Sequence, residues 1–313
     1  MEKQKIKLIV TIDTEADNQW HEGDLSLNNI KHLPRFQALC EKYGMKPTYL
    51  LSHEVAASNL VDDLKDWQDK NLAEIGAHLH PWTTPPYEEN HDYKIHSYPH
   101  ELDDNQLLIK LKNLTDIISQ KFNKLPVSFR AGRWGFDERV AKHLKSLGYK
   151  VDCSVTPKIN WQKTIGDPQK NGGPDFRFHS VYPHTFEGIT EIPMTILFTG
   201  IFKKENTRLA KLFLSLPESF IKKVLNKLFF RQRWLRIFDS SSAKDWKLIY
   251  KSAVKNNLPV MEFMIHSSEL MVGGSPYSKT EQQLENIYTQ LEEMFKYFKS
   301  KNTKNCFLKD LIK

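Results

Sequence analysis

The stretch Ile6–Glu15, IKLIVTIDTE, constrains this chain more than any other. It is apolar, β-branched and free of Gly and Pro, the composition of a buried strand. It ends in two carboxylates, Asp13 and Glu15. Residues two apart on a strand face the same side, so both acids leave its end in one direction. In α/β barrels the C-terminal strand ends are where chemistry gathers. A lone pair of this kind is more often an ordinary pair of solvated loop acids, so the rest of the chain decides.

The pattern that follows alternates. A helix is expected over Leu27–Tyr43, closed by Gly44, then a strand over Lys46–Ser52, a helix over Val55–Lys70 and a strand over Glu74–His80. A long loop, Pro81–Leu102, is rich in Pro, His and aromatics, and loops of that length in compact domains are usually functional or mobile. Helices over Asn105–Phe122 and Asp137–Leu147 and strands over Val127–Ala131 and Tyr149–Val155 continue the series. Ile189–Leu197 reads as a strand, Thr207–Phe238 as two basic amphipathic helices broken near Pro217, and Ala243–Lys255 as a helix. A strand over Leu258–Ile265, a helix over Thr280–Lys299 and a last strand over Cys306–Ile312 complete it. Strands alternating with helices argue an α/β fold with a parallel sheet, here about seven strands in a closed or nearly closed barrel.

Composition narrows the class. With 313 residues, 40% hydrophobic, the chain can bury a sizeable core. The N-terminal apolar run is too short for a secretory leader, and no window approaches a membrane span. Cys40, Cys153 and Cys306 stand far apart in an odd number, which fits reduced, buried thiols and a cytoplasmic protein. The net charge of +7 is local: ten Lys/Arg and two Glu between Lys203 and Arg236 give +8, leaving −1 for the rest. Nucleic acid is therefore not an expected partner.

Three further stretches carry chemistry. His78 and His80 end a strand on one face, roughly 7 Å apart at ~3.3 Å per residue, near enough to share one metal. Two His, one carboxylate and water make a common hydrolytic zinc arrangement, although H-x-H alone is a weak signal. Arg130, in FRAGRWG, can clamp a carboxylate in a bidentate pair or make an ordinary salt bridge. Trp134, between glycines, is either exposed enough to stack on a sugar or simply core, and Trp82 and Arg133 are candidate substrate contacts beside it. His266 ends the strand in MEFMIHSSEL and shares a face with Glu262 and Met264; Glu269 reads as a turn acid with a local role.

TIDTE, EIGAHLHPW, SFRAGRWG, VDCSVTP, EIPM and MIHSSEL, in that order, resemble the polysaccharide deacetylases with a NodB-homology domain, carbohydrate esterase family 4. The branch they resemble most is found among lipopolysaccharide and exopolysaccharide biosynthesis proteins. The resemblance spans residues 6–312 apart from 203–238. It implies one distorted (β/α)7, TIM-like barrel over residues 1–313 with a helical insertion at 203–238. It also implies metal-dependent removal of an N- or O-acetyl group from a sugar in polysaccharide or glycolipid biosynthesis. By position it implies Asp13 as general base, Arg130 as its orienting partner and His266 as general acid. One divalent metal, zinc by preference, would sit on Glu15, His78 and His80. Two departures stand out. The family's histidines are usually four apart and here are two apart. Its metal aspartate adjoins the base, whereas here Thr14 intervenes and Asp17 rivals Glu15. A shifted metal site and a degenerate one both remain open. So do two other functions, a sugar-binding scaffold on the same barrel and a hydrolase of another amide, ureide or cyclic imide.

The basic segment carries its own alternatives. Leu209, Leu212, Phe213 and Leu216, then Phe220, Ile221, Val224, Leu225, Leu228 and Phe229, recur at helical spacing among Lys and Arg. A helix of this composition lies on anionic membranes, which would suit a lipid-linked sugar substrate. It equally makes a cap on the barrel with a solvated basic face.

Overall fold

The computed structural model describes residues 5–17, 25–87, 95–238 and 241–312. Residues 18–24 of the polar stretch after Glu15, and 88–94 of the long loop Pro81–Leu102, lie outside the described residues. Strands β1 (Lys7–Thr14), β2 (Pro47–Leu51), β3 (Glu74–Leu79), β4 (Ser128–Ala131) and β5 (Val151–Asp152) alternate with helices. These are α1 (Leu33–Tyr43), α2 (His53–Ala57), α3 (Asp62–Asp69), α4 (Asp104–Phe122) and α5 (Glu138–Ser146). Then follow β6 (His184–Phe186), β7 (Ile189–Glu191), β8 (Ile196–Phe198), α6 (Arg208–Ser215), α7 (Phe220–Leu225) and β9 (Gln232–Trp234). α8 (Ala243–Lys255), β10 (Val260–His266), α9 (Glu281–Ser300) and β11 (Lys304–Asn305) end the chain.

Seven strands in the order β10-β1-β2-β3-β4-β5-β7 run parallel in one curled sheet. This is the expected α/β barrel with seven parallel strands. β6 adds antiparallel at one edge, and β11 pairs with the start of β1. Thr195 spans the open seam: its hydroxyl accepts the N–H of Glu262 at 2.7 Å and its carbonyl that of Leu235 at 2.8 Å.

Period-two alternation sorts β1 into two faces. Leu8, Val10 and Ile12 join the main core with the helices, while Ile9 packs with Leu50, Val151, Val260 and Leu308. That smaller cluster is the barrel floor. It is closed by the 3₁₀ turn Leu308–Leu311, whose Leu308 and Lys309 N–H groups bond Thr48 and Glu74. One step up β1 stands Thr11, bonded to Glu262, and one further step up stands Asp13. The alternation thus stacks an apolar floor, a polar middle and an acidic top.

Several expected elements differ. Leu27–Tyr43 is a 3₁₀ turn, Asn28–His32, followed by α1, where Pro34 fits the first helical turn. Val55–Lys70 is two helices, α2 and α3, separated at residues 58–61. Ile189–Leu197 divides into β7 of the barrel and β8, which pairs with β9 in a separate hairpin; Pro193 between them has no N–H for a ladder. Cys306–Ile312 is the floor-closing turn rather than a strand, because its N–H groups go to side chains. The helical part of 207–238 ends at residue 230, and the chain then returns as β9.

Candidate metal and acid–base site

The C-terminal ends of β1, β3, β4 and β10 converge on one cavity of about 390 Å³. Among the described residues, Glu15, His78 and His80 bring their ligand atoms within 4.8 Å of one another, and all three are buried. Glu15 Oε2 lies 3.2 Å from His78 Nε2 and 2.5 Å from His80 Nε2. Asp17, the rival acid, is buried but is not one of this group.

The tautomers follow from the surroundings. His78 Nδ1–H donates to the carbonyl oxygen of Arg130 at 3.0 Å. In the neutral ring this leaves Nε2 bare and facing Glu15, two lone-pair groups that need a proton or a cation between them. A divalent ion fits that donor set. Burial lowers the His80 imidazole, and it titrates at about 4 despite Glu15, so it is neutral and ligand-competent near pH 7. Burial opposes ionisation of Glu15, but His80 and His78 outweigh it and hold the carboxyl far below its ordinary range. His80 Nδ1 is buried without a hydrogen-bond partner. Gly132 lies against it: a Cβ there would sit 2.5 Å from that nitrogen.

Asp13 stands beside this group. Arg130 Nη1 donates to Asp13 Oδ1 in a short contact, Nη2 donates to Glu262 and to Thr11 Oγ1, and Nε donates to the Cys153 carbonyl. Burial raises the Asp13 carboxyl, yet Arg130, His78 and His266 more than offset it and keep it ionised. Taking such charges out of water costs several kcal/mol per ion. A buried set of two acids, an Arg and two His is therefore a poor stability device and a reasonable mark of a functional site.

His266 faces the same acids, its Nε2 3.8 Å from Asp13 Oδ2 and 4.0 Å from Glu15 Oε1. Its Nδ1–H donates to Glu269 Oε1 at 2.6 Å, and Arg236 Nη2 donates to the same oxygen at 2.5 Å. Burial opposes ionisation of Glu269, but Arg236 and His266 prevail and lower its pKa. Glu269 is the expected turn acid, capping the His266 N–H, and in addition its Oε1 holds the His266 ring and Arg236. Its spacing of three from His266 was the available signal. Arg236 had none, since it arrives from the basic segment.

Aromatic side chains wall the cavity: Trp82, Trp134, Trp161, Trp234 and Tyr98. Trp134 is buried, the second of its two expected settings, yet it lines the cavity and meets Trp234 edge-on. Arg133 and Trp134 both have φ above +50°, a costly backbone for bulky side chains that directs the pair into the cleft. Arg133 donates to the carbonyls of His96 and Ile165 and lies over Tyr98, so it braces the wall. Trp82 packs on His80 and stacks on His96. Trp161 and Trp234 were not singled out in the sequence.

No protein-family profile and no curated protein matches the chain by sequence. Solved structures do match. A Mycobacterium smegmatis structure assigned as a polysaccharide deacetylase covers 97% of this chain and 93% of its own, with 10% identity and a TM-score of 0.52. The 4-α-glucanotransferase of Thermococcus litoralis matches 98% of this chain and 40% of its own, with 14% identity and a TM-score of 0.51. A carbohydrate esterase family 4 pseudoenzyme from Bacillus anthracis covers 100% of this chain and 67% of its own, with 11% identity and a TM-score of 0.45. At these identities the likeness is one of fold alone: the chain shares its curled parallel α/β barrel with a structure assigned as a polysaccharide deacetylase.

Proposed function

We propose that the protein is a metal-dependent hydrolase that removes an acetyl group from an N-acetylated or O-acetylated sugar. The carrying observation is the convergence of Glu15, His78 and His80 beside the Arg130-held Asp13, with His266 facing both acids. A divalent ion, zinc by the chemistry of two imidazoles and a carboxylate, would supply Lewis acidity and acidify a water. Asp13 accepts the proton of the attacking water. His266, fixed through Glu269, presents Nε2 to the leaving amine or alkoxide and returns a proton. Trp82, Arg133 and Trp134 shape the sugar pocket, and the indole rings offer it apolar faces. Cys40, Cys153 and Cys306 are buried and unpaired, which supports a reducing, cytoplasmic setting for an enzyme of polysaccharide or glycolipid biosynthesis.

The Glu15–His80 hydrogen bond and the shortened histidine spacing favour one second reading, a sugar-binding barrel whose metal site has closed on itself. Metal analysis together with acetate release from N- and O-acetylated sugars separates the two. About one bound ion per chain with acetate release supports the hydrolase. No bound metal after zinc titration overturns it in favour of the scaffold. Turnover of a cyclic imide or ureide alone would reassign the substrate.

A further inference from the structure

We propose that the α6–α7 projection is a membrane-docking surface that sets the cavity against an anionic bilayer. One face of the projection is spent on packing. Phe198, Ala210, Phe213, Leu214 and Phe230 are buried together, with Phe213 and Phe230 stacked at 4.0 Å. That face makes the segment a cap.

A second apolar face remains. Phe220 is 81% exposed, Ile201 71%, Ile221 69%, Leu212 63% and Leu228 51%. Phe220, Val224 and Leu228 follow at four-residue spacing along α7 and the π turn Asn226–Phe230, so they line one stripe. Single exposed apolar residues need no explanation, but a stripe of three on one helical face, with Ile221 beside it, does. In the same run of chain Lys204, Arg208, Lys211, Lys223, Lys227 and Arg231 are exposed, while the exposed acid Glu218 is tied to Lys222. Exposed apolar side chains interspersed with cations of one sign complement anionic headgroups over an acyl layer. No helix among the described residues is long and apolar enough to cross the membrane, so the contact is peripheral.

The docking face and the cavity wall are one run of chain. After the π turn, β9 and the following residues carry Trp234, Arg236 and Phe238 into the cavity. A second cavity of about 560 Å³, walled by Lys227, Arg231 and an Arg233 paired with Asp245, shares Trp234 and Phe238 with it. A sugar borne on a lipid would reach the site along that basic groove. This delivery rests on the deacetylase reading; the docking does not.

Flotation of the full chain with vesicles tests it. The protein should float with phosphatidylglycerol–phosphatidylcholine vesicles at low salt, stay behind with phosphatidylcholine alone, and detach as salt screens the contact. Phe220→Asp combined with Ile221→Asp should lower the bound-to-free ratio about tenfold or more. Its circular dichroism and its acetate release from a soluble sugar should be unchanged. Lys223→Gln, Lys227→Gln and Arg231→Gln together should remove the salt-sensitive part. Absence of flotation, or full flotation of the Asp variant, overturns the proposal. A dimer that the Asp variant dissociates, with no vesicle binding, reassigns the face to a second copy. Flotation reads lipid contact alone, so its failure and a failure of acetate release are independent results.

Discussion

His78 Nδ1 lies 3.0 Å from the backbone carbonyl oxygen of Arg130. One residue thereby serves two groups through different atoms: its carbonyl fixes the His78 ring, and its guanidinium holds Asp13. Arg130→Lys should separate these roles, because the carbonyl survives while the planar fork is lost. Metal content should stay near wild type while kcat falls about 10²-fold or more, the cost of a misplaced reacting group. Wild-type turnover in this variant would remove Arg130 from the catalytic arrangement.

Glu269→Gln should keep the shape of the turn but weaken the hold on His266 Nδ1–H and leave Arg236 short of a counter-charge. A drop of about 10²–10⁴ in kcat is expected for a disoriented acid. An uncompensated buried arginine adds a stability loss of about 3–5 kcal/mol. Stopped assays and thermal melts read the two effects separately. Full activity would return Glu269 to a purely local role.

Burial raises the Glu262 carboxyl, which titrates at about 7 even with Arg130 and Thr11 beside it. The folded chain then binds more protons at this site than the unfolded chain between the ordinary glutamate range and about pH 7. Stability contributed here is present below the unfolded pKa and is lost as pH rises through 7. The span corresponds to a change on the order of 3 kcal/mol. Asp152 and Glu191, also raised by burial, act in the same direction. Glu262→Gln should flatten the dependence of Tm on pH between about 5 and 7 in metal-free protein. An unchanged slope would show that Glu262 is ionised throughout.

Gly132→Ala places a methyl against His80 Nδ1 and the Leu79 carbonyl. The variant should fold yet lose stoichiometric metal, as should His78→Ala and His80→Ala. Gly44→Ala is the control: its φ of +70° costs roughly 1–2 kcal/mol for a residue with a Cβ, but nothing stands near the added methyl and metal should be retained. Metal analysis of the set, with circular dichroism, decides whether Gly132 exists to admit the His80 ring.

The strand ends were legible because period-two alternation is rigid. Knowing that Ile6–Glu15 is a strand fixes where Asp13 and Glu15 point, and the same holds for His78 with His80 and for Glu262 with His266. What alternation does not supply is the partner across the barrel. Arg236 and Trp234 reach the cavity only because a hairpin with its own small core folds back, and no local pattern marks that return. Neighbouring glycines leave the setting of Trp134 open in the sequence, and positive φ at Arg133 and Trp134 turns the ring inward. Ile189–Leu197 reads as one mostly apolar, β-branched run, and the missing N–H of Pro193 marks where its two sheets part.

The strand that carries Asp13 is made early and finished late. β1 lies between β2 and β10, and the Thr11–Glu262 bond closes a separation of 251 residues. Loops of that length form slowly, and contacts this distant delay folding. Until residues 260–266 emerge, one edge of the strand bearing both acids stands open, an invitation to wrong pairing. A chain interrupted before Val260 would thus expose an apolar edge along a strand that the finished barrel buries from Leu8 to Thr14.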